Sequence, residues 1–382
     1  MTAIRVLVVD DSAFMRRQIT AILEKADDIV VIGTARNGEE AVQKVTELKP
    51  DVVTLDISMP VMNGLSALAT IMMTHPTRCV MLSSLTQDGA PATLEALELG
   101  AIDFVGKPSG TVSLDIELQA REIVAKVRMA ARARLHKRAV RPGPARRPTA
   151  QVTSTTAVPQ GVSRTGPARR PPNQITSTTG APQGASPAIV AIGVSTGGPQ
   201  TLMEILPDLP ADFPAPIVVV QHIPARFTAP LAKRLNDYCA LTVTEAKHLE
   251  LLRAGTIYIA PGGIHLTVGW NGAAGGMAAF LSHSPEGTQF CPSVDVLFNS
   301  VAAAYGSRAV GVLLTGMGDD GADGMLHIHD QGGTTIAESE QTAVVFGMPH
   351  EAIVRGAVDT IAPCTQVANH IRISLGKLVR TR

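Results

Sequence analysis

At 382 residues the chain is long enough for two or three domains of about 100–200 residues each, so a sizeable buried core is available. A hydrophobic fraction of 45% against 17% charged residues is globular, and 34 glycines with 26 prolines fall short of a fibrous or wholly disordered chain. With a net charge of zero, an aromatic content of 3% and no apolar run near the roughly 18 residues of a membrane span, base-stacking platforms and membrane spans are disfavoured.

The opening MTAIRVLVVDD sets two carboxylates directly after a Val-rich run, unlike a secretory signal peptide, and a cytoplasmic location is expected. The runs IRVLVVD (4–10), VVTLDI (52–57), RCVMLSS (78–84) and DFVGKP (103–108) are apolar on both faces and predict strands of a parallel sheet covered by helices. Between them, stretches such as SAFMRRQITAILEKA and GEEAVQKVTELK are amphipathic. The alternation predicts a doubly wound α/β domain over residues 1–130, with its ligands at the carboxyl ends of the strands. Asp10 and Asp11 close the first of these strands, Asp56 a central one, Ser83 the next and Lys107 the last.

Three carboxylates at one sheet edge repel each other without a counter-charge, and hard divalent cations prefer oxygen ligands, so a magnesium site at Asp10, Asp11 and Asp56 is expected. One of the three is then free to act as a nucleophile toward a phosphoryl donor, with Lys107 and the Ser83 hydroxyl binding the transferred oxygens. Singly, each residue has a plainer reading: an Asp after a strand is often a helix cap and Lys-Pro often a turn. Together, VVDDS (8–12), D-x-x-M-P-x-M-N-G (Asp56 to Gly64), Ser83-Ser84, GAIDF (100–104) and Lys107-Pro108 resemble the receiver domain of bacterial response regulators. The resemblance implies a flavodoxin-like (βα)5 fold, Asp56 as phosphoacceptor, Asp10 and Asp11 as metal ligands, and a histidine kinase as donor. Spacing along the strand favours Ser83 over Ser84 as the switch hydroxyl.

Past residue 130 the chain changes character. No Asp or Glu occurs between Glu122 and Glu204, whereas twelve Lys and Arg do. RPGPARRPTAQVTSTTAVPQG (141–161) recurs as RTGPARRPPNQITSTTGAPQG (164–184), a tandem repeat with almost nothing apolar to bury. Residues 131–187 are expected to be a disordered basic linker; a nucleic-acid-binding arm is the sharper alternative, weakened by the lack of interleaved aromatics.

A DNA-binding output domain is the default expectation after a receiver, but the remaining residues, 188–382, are too many for a minimal one. IVAIGVS (189–195), PIVVVQHI (216–223), TIYIAPGG (256–263), AAFLSH (278–283), AVGVLLTG (309–316) and GTTIAES (333–339) predict a second α/β sheet of doubly wound, Rossmann-like type. The four cysteines, Cys79, Cys239, Cys291 and Cys364, are far apart and indicate neither disulfides nor zinc. The first of these strands runs into Gly193-Val194-Ser195-Thr196-Gly197-Gly198, which fits G-x-S-x-G, a serine exposed on a tight strand-to-helix turn. A dinucleotide loop is disfavoured because Ser195 replaces the middle glycine of G-x-G-x-x-G and no acid ends the next strand. That next strand ends in His222, within reach of Ser195 as general base if adjacent strands end side by side. Asp319, Asp320 and Asp323 in LLTGMGDDGADGM (313–325) supply a group to orient the imidazole; Gly321 breaks the pattern of a calcium loop. Ser, His and Asp then form a hydrolase triad with helix-start amides facing an oxyanion, in a chain order unlike that of α/β-hydrolases.

GVSTGGP (193–199), VVQHIP (219–224), IAPGG-x-H (259–265), PSVDVLF (292–298) and LLTGMGDDG (313–321), joined to the receiver motifs, closely resemble the chemotaxis response-regulator methylesterases (CheB) over nearly the whole chain. The resemblance implies Ser195 as nucleophile, His222 as base, Asp320 as triad acid, and Thr196 and Met317 near the reacting carbonyl. It implies hydrolysis of glutamate γ-methyl esters on methyl-accepting chemoreceptors to glutamate and methanol, and deamidation of receptor glutamines. It also implies sensory adaptation as the role, no cofactor for the esterase step, no nucleic acid and no membrane insertion, and a receiver that covers the esterase site until phosphorylated. An adaptor that keeps the fold only to bind is the alternative; it would have no need of all three triad residues.

Overall fold

The structure, a computed structural model, describes residues 3–83, 89–107, 113–135 and 188–380. The tandem repeat, Ser84 and Pro108 lie outside the described residues.

The first half alternates β1 (Ile4–Val9), α1 (Ala13–Leu23), β2 (Ile29–Ala35), α2 (Gly38–Leu48), β3 (Val52–Asp56), α3 (Gly64–Thr74), β4 (Arg78–Ser83), α4 (Ala90–Glu98), β5 (Asp103–Gly106) and α5 (Ser113–Arg132). Side-chain caps set the helix starts: Ser12, Asn37 and Asn63 each accept an amide of the first turn of α1, α2 and α3. The sheet order is β2-β1-β3-β4-β5, parallel throughout, the flavodoxin-like order. β3 is buried at all five positions, as a central strand covered on both faces must be. β2, which the apolar runs named above pass over, is one of the two edge strands, with only Ile29 and Ala35 buried. Pairing of Val9 with Leu55, Asp56 with Leu82 and Ser83 with Gly106 aligns the strand ends, so Asp10, Asp56, Ser83 and Lys107 reach one edge.

The second half contains β6 (Ile189–Val194), α6 (Gly198–Ile205), β7 (Ile217–Gln221), α7 (Ala225–Tyr238), β8 (Thr242–Glu245), β9 (Thr256–Ile259), β10 (His265–Asn271) and β11 (Gly276–Ser282). After these come α8 (Val294–Tyr305), β12 (Ala309–Leu313), α9 (Ala322–Asp330), β13 (Thr334–Glu338), α10 (Met348–Val354), β14 (Thr360–Ala362) and α11 (Cys364–Arg380). Seven strands form a second parallel sheet, β14-β13-β12-β6-β7-β9-β8. The order reverses at β6, which lies between β7 and β12, so the crevice outside β6, β7 and β12 is where a ligand is expected.

One expected strand lies elsewhere. AAFLSH is expected in the second sheet, but β11 pairs antiparallel with β10 in a separate hairpin packed beside α8. Burial explains the difference: β6, β7 and β12 are buried at every position, whereas β11 is only partly buried along its length, as a ribbon covered on one face is. No helix among the described residues is long and apolar enough to cross a membrane.

Candidate active site

Three connections converge at the carboxyl edge of the second sheet. β6 ends at Val194, paired with Gln221, so the next residues of the two strands, Ser195 and His222, stand side by side. The His222 amide donates to the Val194 carbonyl, and the Gln221 carboxamide donates to the Ser195 carbonyl at 2.8 Å, fixing the two turns to each other. The Ser195 amide donates to the Thr315 carbonyl just after β12, which brings the third turn alongside. That turn passes close because residue 316 is glycine: a Cβ there would lie 2.8 Å from the Ser195 Cβ.

His222 Nε2 is 2.8 Å from Asp320 Oδ2. Asp320 is saturated with donors: its Oδ2 also accepts the Val294 amide at 2.8 Å, and its Oδ1 accepts the Ser293 hydroxyl at 2.8 Å and the Asp295 amide at 3.0 Å. Burial alone would raise its proton affinity, but the hydrogen bonds from His222 and from the α8 amides outweigh it and hold the carboxyl below the usual range. Asp320 is thus a fixed anion at the start of α8. Neighbouring Asp295 goes the other way: burial, and then the Asp320 charge, push it up to about 6 against the bond from the Gly324 amide. Asp319 and Asp323, the other candidates in this loop, pair with Arg355 at 2.9 and 2.7 Å and take no part in orienting His222.

Because a carboxylate only accepts, Nε2 of His222 carries the proton it gives to Asp320, and Nδ1 keeps the lone pair. His222 Nδ1 is buried and makes no hydrogen bond within the described residues. The Thr196 and Met317 amides, expected beside the reacting carbonyl, donate no hydrogen bond within the described residues either. The Met317 side chain is exposed, on the rim of the turn.

Thr196 is covered by the first half of the chain. Its hydroxyl donates to Asp103 Oδ2 at 3.0 Å and touches Met129 Sδ. Asp103, at the start of β5, also accepts from Lys126 and from the Phe104 amide. Around this point the Phe104 and Phe227 rings pack 4.5 Å apart, Arg234 pairs with Glu98, the Arg134 amide donates to the Val344 carbonyl and the Arg134 side chain binds Glu340.

At the edge of the first sheet, Asp10, Asp11 and Asp56 have ligand oxygens within 4.8 Å of one another. Lys107 Nζ is 2.8 Å from an oxygen of both Asp10 and Asp56. Burial raises Asp56 above the ordinary carboxylate range despite Lys107. Burial also opposes the charge on Lys107, yet its two carboxylate partners raise it. Two buried carboxylates and one exposed one, all oxygen donors, fit a small hard cation. The Ser83 hydroxyl lies at the same edge, 2.9 Å from the Thr93 hydroxyl on α4.

Two family models match the chain. Residues 190–371 match the CheB methylesterase family and residues 6–119 the response regulator receiver domain. A protein of Caldanaerobacter subterraneus subsp. tengcongensis named protein-glutamate methylesterase/protein-glutamine glutaminase is 46% identical over 99% of this chain and 98% of its own length. One of Nitratidesulfovibrio vulgaris with the same name, numbered 2, is 48% identical over 98% of this chain and 100% of its own. The chain belongs to the CheB methylesterase family. Among solved structures, the Thermotoga maritima CheB methylesterase catalytic domain is 42% identical, covering 51% of this chain and 98% of that one at a TM-score of 0.47.

Several residues of this methylesterase site carry no role in the sequence reading. Ser293 stood inside PSVDVLF without an assignment; as the N-cap of α8 ahead of an apolar run it was legible as a cap, but not as a partner of Asp320. Thr315 joins the Ser195 turn to Glu338, whose carboxyl is wholly buried and accepts the Thr315 amide at 2.9 Å and the Thr342 hydroxyl at 3.0 Å. Burial pushes Glu338 up to about 7. Asp103 lies 93 residues from its partner Thr196, and nothing local marks it.

Proposed function

We propose that the chain is a phosphorylation-activated methylesterase, with a receiver to about residue 130 and an esterase domain from residue 188, acting in the cytoplasm on glutamate γ-methyl esters of chemoreceptors. The observation that carries the reading is the bonding of His222 to an Asp320 whose four acceptor positions are filled, beside Ser195 on the next strand. Asp320 fixes the tautomer, so His222 Nδ1 is the base. Ser195 Oγ attacks the ester carbonyl as its proton passes to Nδ1, and the oxyanion is received by the Thr196 and Met317 amides. His222 returns the proton to the departing methoxy oxygen, releasing methanol and leaving an acyl ester on Ser195. Water, deprotonated by Nδ1, then cleaves that ester to free glutamate and regenerate the serine. A carboxamide passes through the same steps with ammonia leaving, which accounts for glutaminase activity.

In the receiver, Asp56 attacks the phosphorus of a donor, a histidine kinase or a small acyl phosphate, and the donor's leaving group departs. Asp10, Asp11 and Asp56 would hold a magnesium ion that offsets the gathered negative charge. Lys107 pairs with the transferred oxygens and Ser83 donates to them. The contact of Asp103 and Met129 with Thr196 supports a receiver that covers the esterase site before phosphorylation. The test is methanol release from methylated receptor: the Ser195→Ala chain is expected to release none, and release at the wild-type rate would remove the serine mechanism.

A further inference from the structure

The segment 283–293 between β11 and α8 holds none of the triad, yet it meets the triad twice. The Phe290 ring lies flat on the His222 imidazole, with centroids 4.2 Å apart and planes within 7° of parallel. Ser293, at the other end, donates its hydroxyl to Asp320. Both contacts are tied to one side chain, His265 at the start of β10, which is 1% exposed.

The protons along this tie can be assigned in turn. The Ser293 amide donates to His265 Nδ1 at 3.1 Å, so Nδ1 carries the lone pair and Nε2 the hydrogen. Nε2 lies 3.2 Å from the Thr288 hydroxyl oxygen, which accepts from it, and the same hydroxyl donates to the Phe290 carbonyl at 2.9 Å. A buried imidazole therefore fixes the backbone that carries the stacked ring. Among the described residues the His222 ring has a single hydrogen bond, at Nε2, which leaves rotation about that bond unopposed. A planar ring packed on the imidazole face opposes it and keeps water from that face.

The geometry points to Phe290 as a positioning residue for His222, seated by the His265–Thr288 tie. Phe290 bonds to no reacting atom; its effect is on how often Nδ1 is aimed at the serine. The inference rests on the triad reading above.

The experiment measures kcat and KM for methanol release by the full chain, with thermal unfolding alongside. Phe290→Leu, close in volume but without a planar ring, is expected to lower kcat about tenfold with KM unchanged, and Phe290→Tyr to keep near wild-type kcat. Thr288→Val, which cuts the tie on a partly exposed loop, is expected to lower kcat several-fold with no loss of unfolding temperature. Phe290→Leu turning over like wild type, a rise in KM alone, or equal losses in the Leu and Tyr variants would each overturn the inference. Ser195→Ala run beside them separates the two levels: turnover by that chain removes the triad itself, whereas an inactive Ser195→Ala with a fully active Phe290→Leu removes only the positioning role.

Discussion

Both halves of the chain place a key carboxylate at the carboxyl edge of a parallel sheet, and the two carboxylates are treated oppositely. Asp320 accepts four hydrogen bonds and is held below the usual carboxylate range. Asp56 has Lys107 for a partner, shares it with Asp10, and is raised by burial. A carboxylate whose lone pairs are all engaged orients a neighbour and cannot attack; one left under-compensated keeps an oxygen for a new bond. On the proposed function, the same topological position serves a positioning anion in one domain and a nucleophile in the other, and the number of donors around each carboxylate differs accordingly.

The comparison breaks most visibly if the two positions respond alike to amide substitution. Asp320→Asn sets an NH2 group against donors and removes the charge that fixes the His222 tautomer. It is expected to lower kcat by roughly 10³–10⁴ and to destabilise the fold by about 1–3 kcal/mol, read from methanol release and urea unfolding. Asp56→Asn removes a charge that burial already disfavours, and unfolding should shift by no more than about 1 kcal/mol.

The contact between the halves gives the next effect. Asp103→Ala frees the Thr196 hydroxyl and leaves the Asp10, Asp11 and Asp56 cluster untouched. Activity of the unphosphorylated chain is expected to rise about 5- to 20-fold, the equivalent of about 1–2 kcal/mol for a hydrogen bond to a charged group, with the phosphorylated rate unchanged. A rise of equal size in both states would mean that Asp103 acts on the chemistry and not on the cover.

The smallest effect concerns Glu338 behind the Ser195 turn. Its folded-state value of about 7 lies above its unfolded 4.5, so the folded chain binds the extra proton between these values. The contribution is fully present below about pH 4.5 and lost as pH rises through about 7, on the order of 3 kcal/mol at most. Glu338→Gln is expected to flatten the fall in unfolding free energy between pH 5 and pH 8; an unchanged slope would place that pH dependence elsewhere.

Much of this was legible in the sequence because the informative signals are local. Asp10, Asp56, Ser83, Lys107, Ser195 and His222 each end an apolar run, and in a parallel sheet run ends meet at one edge. AAFLSH, in β11, falls outside the expected sheet because a short apolar run looks alike in a buried strand and in a ribbon covered on one face. Ser293, Phe290, Asp103 and Glu338 were given no role because each acts on a partner brought close by the fold: Asp320, His222, Thr196 and Thr315. No periodicity encodes such pairings. That Asp320 and not Asp319 meets His222 could not be had from residue type, since the loop offers adjacent aspartates; the family resemblance pointed to Asp320, and here Arg355 occupies Asp319.

The most direct test follows methanol release from methylated receptor by the full chain, in magnesium with and without a small acyl phosphate. Acceleration by the donor is expected in the wild-type chain, none in Asp56→Ala, and no release in Ser195→Ala under either condition. Donor-dependent acceleration that survives in Asp56→Ala, or methanol released by Ser195→Ala, would contradict the proposed function.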